Sequence, residues 1–163
     1  MFLIKVFTTL LLLIGITHSQ DFKKASYWLD YTKGIEQANT QKRMIFVSVW
    51  ASWCKSCAIM EQETYSNPVI KELLQEYFVP VHLDFESTEL ITCQGKKMPT
   101  KNCVIEQLQI QALPAFAVLS PNGYLVLSVM DLLDPNELTS FIQQVLEHQE
   151  EILNFDGTLL NHP

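Results

Sequence analysis

"MIFVSVWASWCKSC", residues 44–57, decides how the rest of the chain is read. Met44 to Trp50 is short, rich in β-branched residues and nearly all apolar, which predicts a strand buried on both faces. Two cysteines, Cys54 and Cys57, stand at its end with two residues between them. If a helix starts at Cys54, its free N–H groups and partial positive charge favour a thiolate there, and the sulfur becomes nucleophilic near neutral pH. Cys57 then lies one turn later on the same side, placed to resolve a mixed disulfide formed by Cys54. This chemistry asks for an exposed Cys54. Lys55 adds a positive charge, which solvent screens. Two other readings stay open on spacing alone, half of a zinc site and a structural staple. The other cysteines, Cys93 and Cys103, have nine residues between them, a poor fit to a zinc ribbon.

Outward from this stretch, the chain alternates strands and helices. Tyr27, Trp28, Tyr31, Ile35 and Ala38 recur at near-helical spacing and predict a helix within residues 22–42. After the cysteines, "AIMEQET" continues a helix. Asn67 is a good N-cap and Pro68 a good first helical residue. Val69, Ile70, Leu73, Leu74, Tyr77 and Phe78 form the apolar face of that helix. "FVPVHLDF" is a second strand, and Pro80 argues that its start is not centrally paired. Residues 86–102 read as a long polar loop, and "VIEQLQI" as a short helix. "AFAVLS" and "YLVLSV", separated by "PNG", predict a hairpin. Asp134-Pro135-Asn136-Glu137 predicts a capped helix whose buried stripe is Leu138, Phe141, Ile142, Val145 and Leu146. The predicted class is α/β, a mixed sheet with helices on both faces.

Composition bounds the function. The 163 residues are 48% hydrophobic and 18% charged, which suits one globular domain with a real core. A net charge of −7 disfavours nucleic acid and anionic membranes as general partners. Residues 1–19 have the order of a secretory signal: Lys5, the apolar run "VFTTLLLLIGI", then small residues at Thr17 and Ser19. That run is shorter than the roughly 20 residues of a spanning helix, so cleavage is expected rather than an uncleaved anchor. Cleavage after Ser19 removes Lys5 and no acid, taking the charge from −7 to −8. An even cysteine count in an exported chain suggests disulfides.

"VSVWASWCKSC" followed by "IQALPAFAVLSPNG" resembles the thioredoxin superfamily. It is similar to exported thioredoxin-like proteins of the thioredoxin-7 type and to the C-terminal domain of the bacterial transmembrane thiol–disulfide interchange protein. The stretch from Lys42 to Phe85 follows their pattern, and the likeness covers about residues 26–149. The resemblance implies a thioredoxin fold, with an N-terminal helical extension, over residues 20–150, leaving 151–163 as a tail. It implies Cys54 as attacking thiol, Cys57 as resolving thiol, and Pro114 as the family's cis-proline. Such a proline leaves the main chain of Leu113 free for a substrate strand. Trp53 covers one side of the site, Trp50 reads as core, and His82 as a packed strand residue.

Two departures from the family pattern stand out. Thioredoxins carry a buried Asp six residues before the first cysteine, and here Ser48 occupies that position. Glu61 matches an acid of the interchange-protein domain, and it is expected to supply the missing proton-transfer carboxylate. A solvated helix glutamate is the alternative. The dipeptide Lys55-Ser56 lacks the Gly-Pro and Pro-His of relatives, so it does not forecast a potential. Cys93 and Cys103 flank "QGKKMPTKN", which looks like an insertion. A structural disulfide is expected there by compartment, with a relay to Cys54–Cys57 as the alternative.

The expected function is an exported, periplasmic or secreted thiol–disulfide oxidoreductase that reduces protein disulfides without cofactor or metal. Its partners are disulfide-containing or dithiol proteins and a redox partner that supplies or accepts electrons. No nucleic acid is expected, and no stable membrane insertion after signal cleavage. The alternatives are an oxidase or isomerase, and a binding module whose cysteines are only structural.

Overall fold

The computed structural model describes residues 27–158. The signal expected at 1–19 lies outside them. Helix α1 spans Tyr31–Gln41 and is capped by the Asp30 side chain, which accepts from Lys33 N. Strand β1 spans Met44–Trp50. Helix α2, Lys55–Ile59, runs into a π-helical turn over Met60–Thr64. Helix α3 is Pro68–Tyr77, capped by Asn67 as its sequence predicts. Strand β2 is Phe78–Asp84, and a hairpin follows, β3 (Leu90–Cys93) and β4 (Lys96–Pro99). The turn α4, Thr100–Asn102, leads into a second π-helical turn, Cys103–Gln107. Strands β5 (Ala115–Leu119) and β6 (Leu125–Val129) precede α5 (Pro135–Glu147) and α6 (Gln149–Leu153). Helix α5 has the full capping box between Asp134 and Glu137.

The main sheet has the order β2-β1-β5-β6. Strand β1 pairs parallel with β2 and antiparallel with β5, so it lies inside the sheet, as a nearly all-apolar strand must. Its odd and even residues face different layers. Ile45, Val47 and Val49 pack with Tyr31 and Ala38 of α1 and with Ile91, Cys93, Cys103 and Val104 of the hairpin region. Met44 and Phe46 pack with Ile70 and Leu74 of α3 and Leu138 and Ile142 of α5. Phe46 is wholly buried, which stabilises the fold by roughly 2–3 kcal/mol, and its ring stacks on Phe116 at 5.0 Å. The Arg43 guanidinium donates to the carbonyls of Gln75 and Phe78, tying the end of α3 to the start of β2.

Four local expectations are corrected. Trp28 is buried, but it precedes α1 in an extended segment, where Leu29 bridges to Val81. Leu29 N donates to Pro80 O and its carbonyl accepts from His82 N, so pairing with the edge of β2 overrides helical spacing. The polar loop expected at 86–102 contains the β3–β4 hairpin. Ile91 and Cys93 point inward there, while Lys96 and Lys97 are exposed. Val69 is exposed, and Phe78 opens β2 rather than closing α3. In the tail, Ile152 of α6 joins the α5 side of the core.

Candidate active site

Cys54 is the N-cap of α2, and its sulfur accepts from the Cys57 N–H at 3.1 Å. Ala51 O receives the Cys54 N–H, which closes the turn leaving β1. Cys54 and Cys57 form a disulfide, with Cα atoms 5.3 Å apart. Each cysteine is only 7% exposed. The expected exposure of Cys54 is thus not met in this disulfide-bonded form. Trp50, Phe85 and Leu113 pack against the pair, and Trp53 beside it is 60% exposed. The Leu113–Pro114 peptide is cis, and Pro114 shares a small enclosed space with Cys57.

Glu61 is not a solvated helix residue: it is 8% exposed. The π-helical turn explains why. Tyr65 N donates to Met60 O, five residues back, and the widened turn sets Met60 and Glu61 side by side in the interior. Glu61 Oε1 accepts from Trp28 Nε1 at 3.3 Å, and Oε2 lies 4.0 Å from His82 Nε2. Cys57, Glu61, His82, Ser48 and Tyr65 line one space beneath the disulfide. Burial, with the Glu61 carboxylate adding to it, pushes the Tyr27 phenol well above its usual range. The same two causes raise the Tyr65 phenol.

Tertiary structure adds residues that local sequence did not single out for the site. His82 stands opposite Ser48 in the β1–β2 register. Trp50, expected as core, is half-buried and stacks on His82 at 5.2 Å. Trp28 arrives from the N-terminal segment, and Phe85 from the end of β2. The Phe85 ring also lies 5.2 Å from the Lys101 ammonium. Only the strand pairing brings these residues together, so no nearby spacing could have marked them.

Cys93 and Cys103 form the second disulfide. Both are wholly buried, and the Tyr31 hydroxyl donates to Cys93 Sγ at 3.5 Å. Among the described residues, no cluster of three or more His, Cys, Asp or Glu is placed to hold a metal ion. No helix among them is long and apolar enough to cross a membrane. A larger groove, of about 1000 Å³, lies between β6, α5 and α6 and shares no lining residue with the cysteine site.

Known proteins share this fold. The solution structure of a thioredoxin from Thermus thermophilus superposes with a TM-score of 0.61 at 19% identity, covering 75% of this chain and 88% of that one. The DsbD C-terminal domain of Neisseria meningitidis, in its reduced form, gives 0.51 at 14% identity, over 69% and 90%. At these identities the likeness is one of fold. Human spermatogenesis-associated protein 20 is 39% identical over 54 residues, a match that spans 33% of this chain and 7% of that protein's length. A family model described as a thioredoxin-like domain matches residues 31–146, from the first residue of α1 almost to the end of α5. By fold and by that match, the chain belongs to the thioredoxin-like domain family.

Proposed function

We propose that the protein is an exported thiol–disulfide oxidoreductase that reduces protein disulfides through Cys54 and Cys57. The observation that carries this reading is the Cys57 N–H directed at Cys54 Sγ at the head of α2. In the reduced protein that donor and the helix N-terminus stabilise a Cys54 thiolate. The thiolate attacks a substrate disulfide; one substrate thiolate leaves and takes a proton from solvent. Glu61 accepts the Cys57 proton. The Cys57 sulfur then bonds to Cys54 Sγ as the Cys54–substrate bond breaks, and the second substrate sulfur leaves with the electron pair. The substrate gains two electrons, and the protein ends as the Cys54–Cys57 disulfide. Leu113 offers its main chain to the substrate strand, and Trp53 offers an exposed apolar surface. Export is supported by the sequence of residues 1–19 and by the two disulfides. The reducing direction is supported by the sequence resemblance to the interchange-protein domain.

Reduction of insulin disulfides tests the reading. The wild type turns over, and Cys54→Ser does not. Equal inactivity of both points to a binding module. The redox potential of the Cys54–Cys57 couple tests direction, a strongly oxidising value favouring an oxidase. Glu61→Gln tests the proton step, since an unchanged Cys57 pKa removes Glu61 from it.

A further inference from the structure

His82 lies on the sheet face that carries the cysteine helix, 9% exposed. Its ring is held between two indoles, stacked on Trp28 at 5.3 Å and on Trp50 at 5.2 Å, with interplanar angles of 20° and 12°. These two stacking contacts fix the plane of the ring. Nε2 then faces Glu61 Oε2 at 4.0 Å, an ion-pair distance. Trp28 serves both groups, since its Nε1–H donates to the other Glu61 oxygen.

The ionisable neighbours of His82 come from every element around it. Cys57 and Glu61 belong to α2 and its π-helical turn, and Tyr65 follows that turn; all three share its inner space. Tyr27 stands in the N-terminal segment, its ring stacked on Trp28. Asp84 ends β2 and, with Asp30 and Glu89, borders a second small cavity that His82 also lines. From β1 the register partner is Ser48, which does not titrate. Among the described residues, no lysine or arginine lines either cavity. Among these acids, Glu61 has its Oε2 at ion-pair distance from Nε2.

We propose that His82 is a positioning residue for the thiol exchange: its Nε2, 4.0 Å from Glu61 Oε2, holds the Glu61 carboxylate beside Cys57. The inference rests on the Glu61 role proposed above. Replacing His82 removes a group that faces the carboxylate charge, and the variant is then expected to protonate Glu61 at higher pH. A protonated Glu61 cannot accept the Cys57 proton. The acid limb of disulfide reduction therefore moves to higher pH.

The test uses the full chain. His82→Phe keeps an aromatic ring between the indoles and removes both nitrogens, whereas His82→Gln returns an amide near the Nε2 position. Glu61 titration is followed by carbon NMR and insulin reduction across pH, with thermal melts to establish folding. His82→Phe is expected to raise the Glu61 midpoint and the acid limb together by about one pH unit, and His82→Gln to restore most of that. A shift under about 0.3 unit, or equal shifts in both variants, overturns the inference. If His82→Phe does not fold, the wild type decides. Its His82 ring resonances must show an inflection at the Glu61 midpoint that Glu61→Gln removes, and an inflection-free titration overturns the proposal. An unchanged Cys57 pKa in Glu61→Gln strikes the proton-transfer reading itself, whichever way His82 behaves.

Discussion

The double substitution Cys93→Ala/Cys103→Ala separates a structural disulfide from a redox relay. The bond closes a loop of sequence separation 10. In the chain-entropy relation, that restricts the unfolded state by about 2.7 kcal/mol at 25 °C. Both sulfurs are wholly buried, so removing them adds a cavity cost of roughly 0.5–1 kcal/mol each. The contact from the Tyr31 hydroxyl to Cys93 Sγ is lost as well. The expected total is roughly 3.7–4.7 kcal/mol, a fall in Tm of about 10–15 °C for a domain of this size. Turnover is expected to persist, because the second disulfide sits in the α1 side of the core while Cys54 and Cys57 form their own cluster with Ala51. Calorimetry of both oxidised proteins, with insulin reduction well below either melting temperature, reads both quantities. A Tm change under about 3 °C refutes the loop-closure reasoning. Loss of turnover in a folded double variant refutes the structural assignment and favours electron relay.

Three further outcomes are expected. Gly34→Ala places a Cβ 2.1 Å from Val81 Cγ2, so despite the better helix propensity it should lower stability by about 1–3 kcal/mol in denaturant melts. A stabilised variant would show that α1 does not pack this closely on β2. Stability should fall at alkaline pH. Burial pushes the Tyr31 phenol up to about 12, so the unfolded chain releases that proton from about pH 10 while the folded one retains it. Its contribution is complete below pH 10 and is lost as pH rises toward 12, with a slope of about 1.4 kcal/mol per pH unit, and Tyr31→Phe should reduce the alkaline slope by that amount, the Tyr27 and Tyr65 phenols retaining theirs. Trp53→Ala should leave the melt within about 0.5 kcal/mol, since the side chain is 60% exposed, yet raise KM for a protein disulfide. An unchanged KM would remove Trp53 from the docking surface.

Much of this protein follows from local sequence. Met44–Trp50 is a buried strand because its residues leave it no polar face. Asn67-Pro68 and Asp134-Pro135 start helices because each supplies a side-chain acceptor and a residue that needs no N–H partner. The Cys54–Cys57 spacing is legible for the same reason, as one turn of helix brings the two sulfurs together. Tertiary structure alone decided the surroundings of that pair. Glu61 is buried because a π-helical turn sets it beside Met60, and no spacing of apolar residues announces such a turn. His82 belongs to the site because β1 and β2 pair in a register that puts it opposite Ser48. Trp28 reaches it because Leu29 bonds to the free edge of β2. Local conformation is written in neighbouring residues, whereas the company a buried acid keeps is set by strand pairing between distant ones.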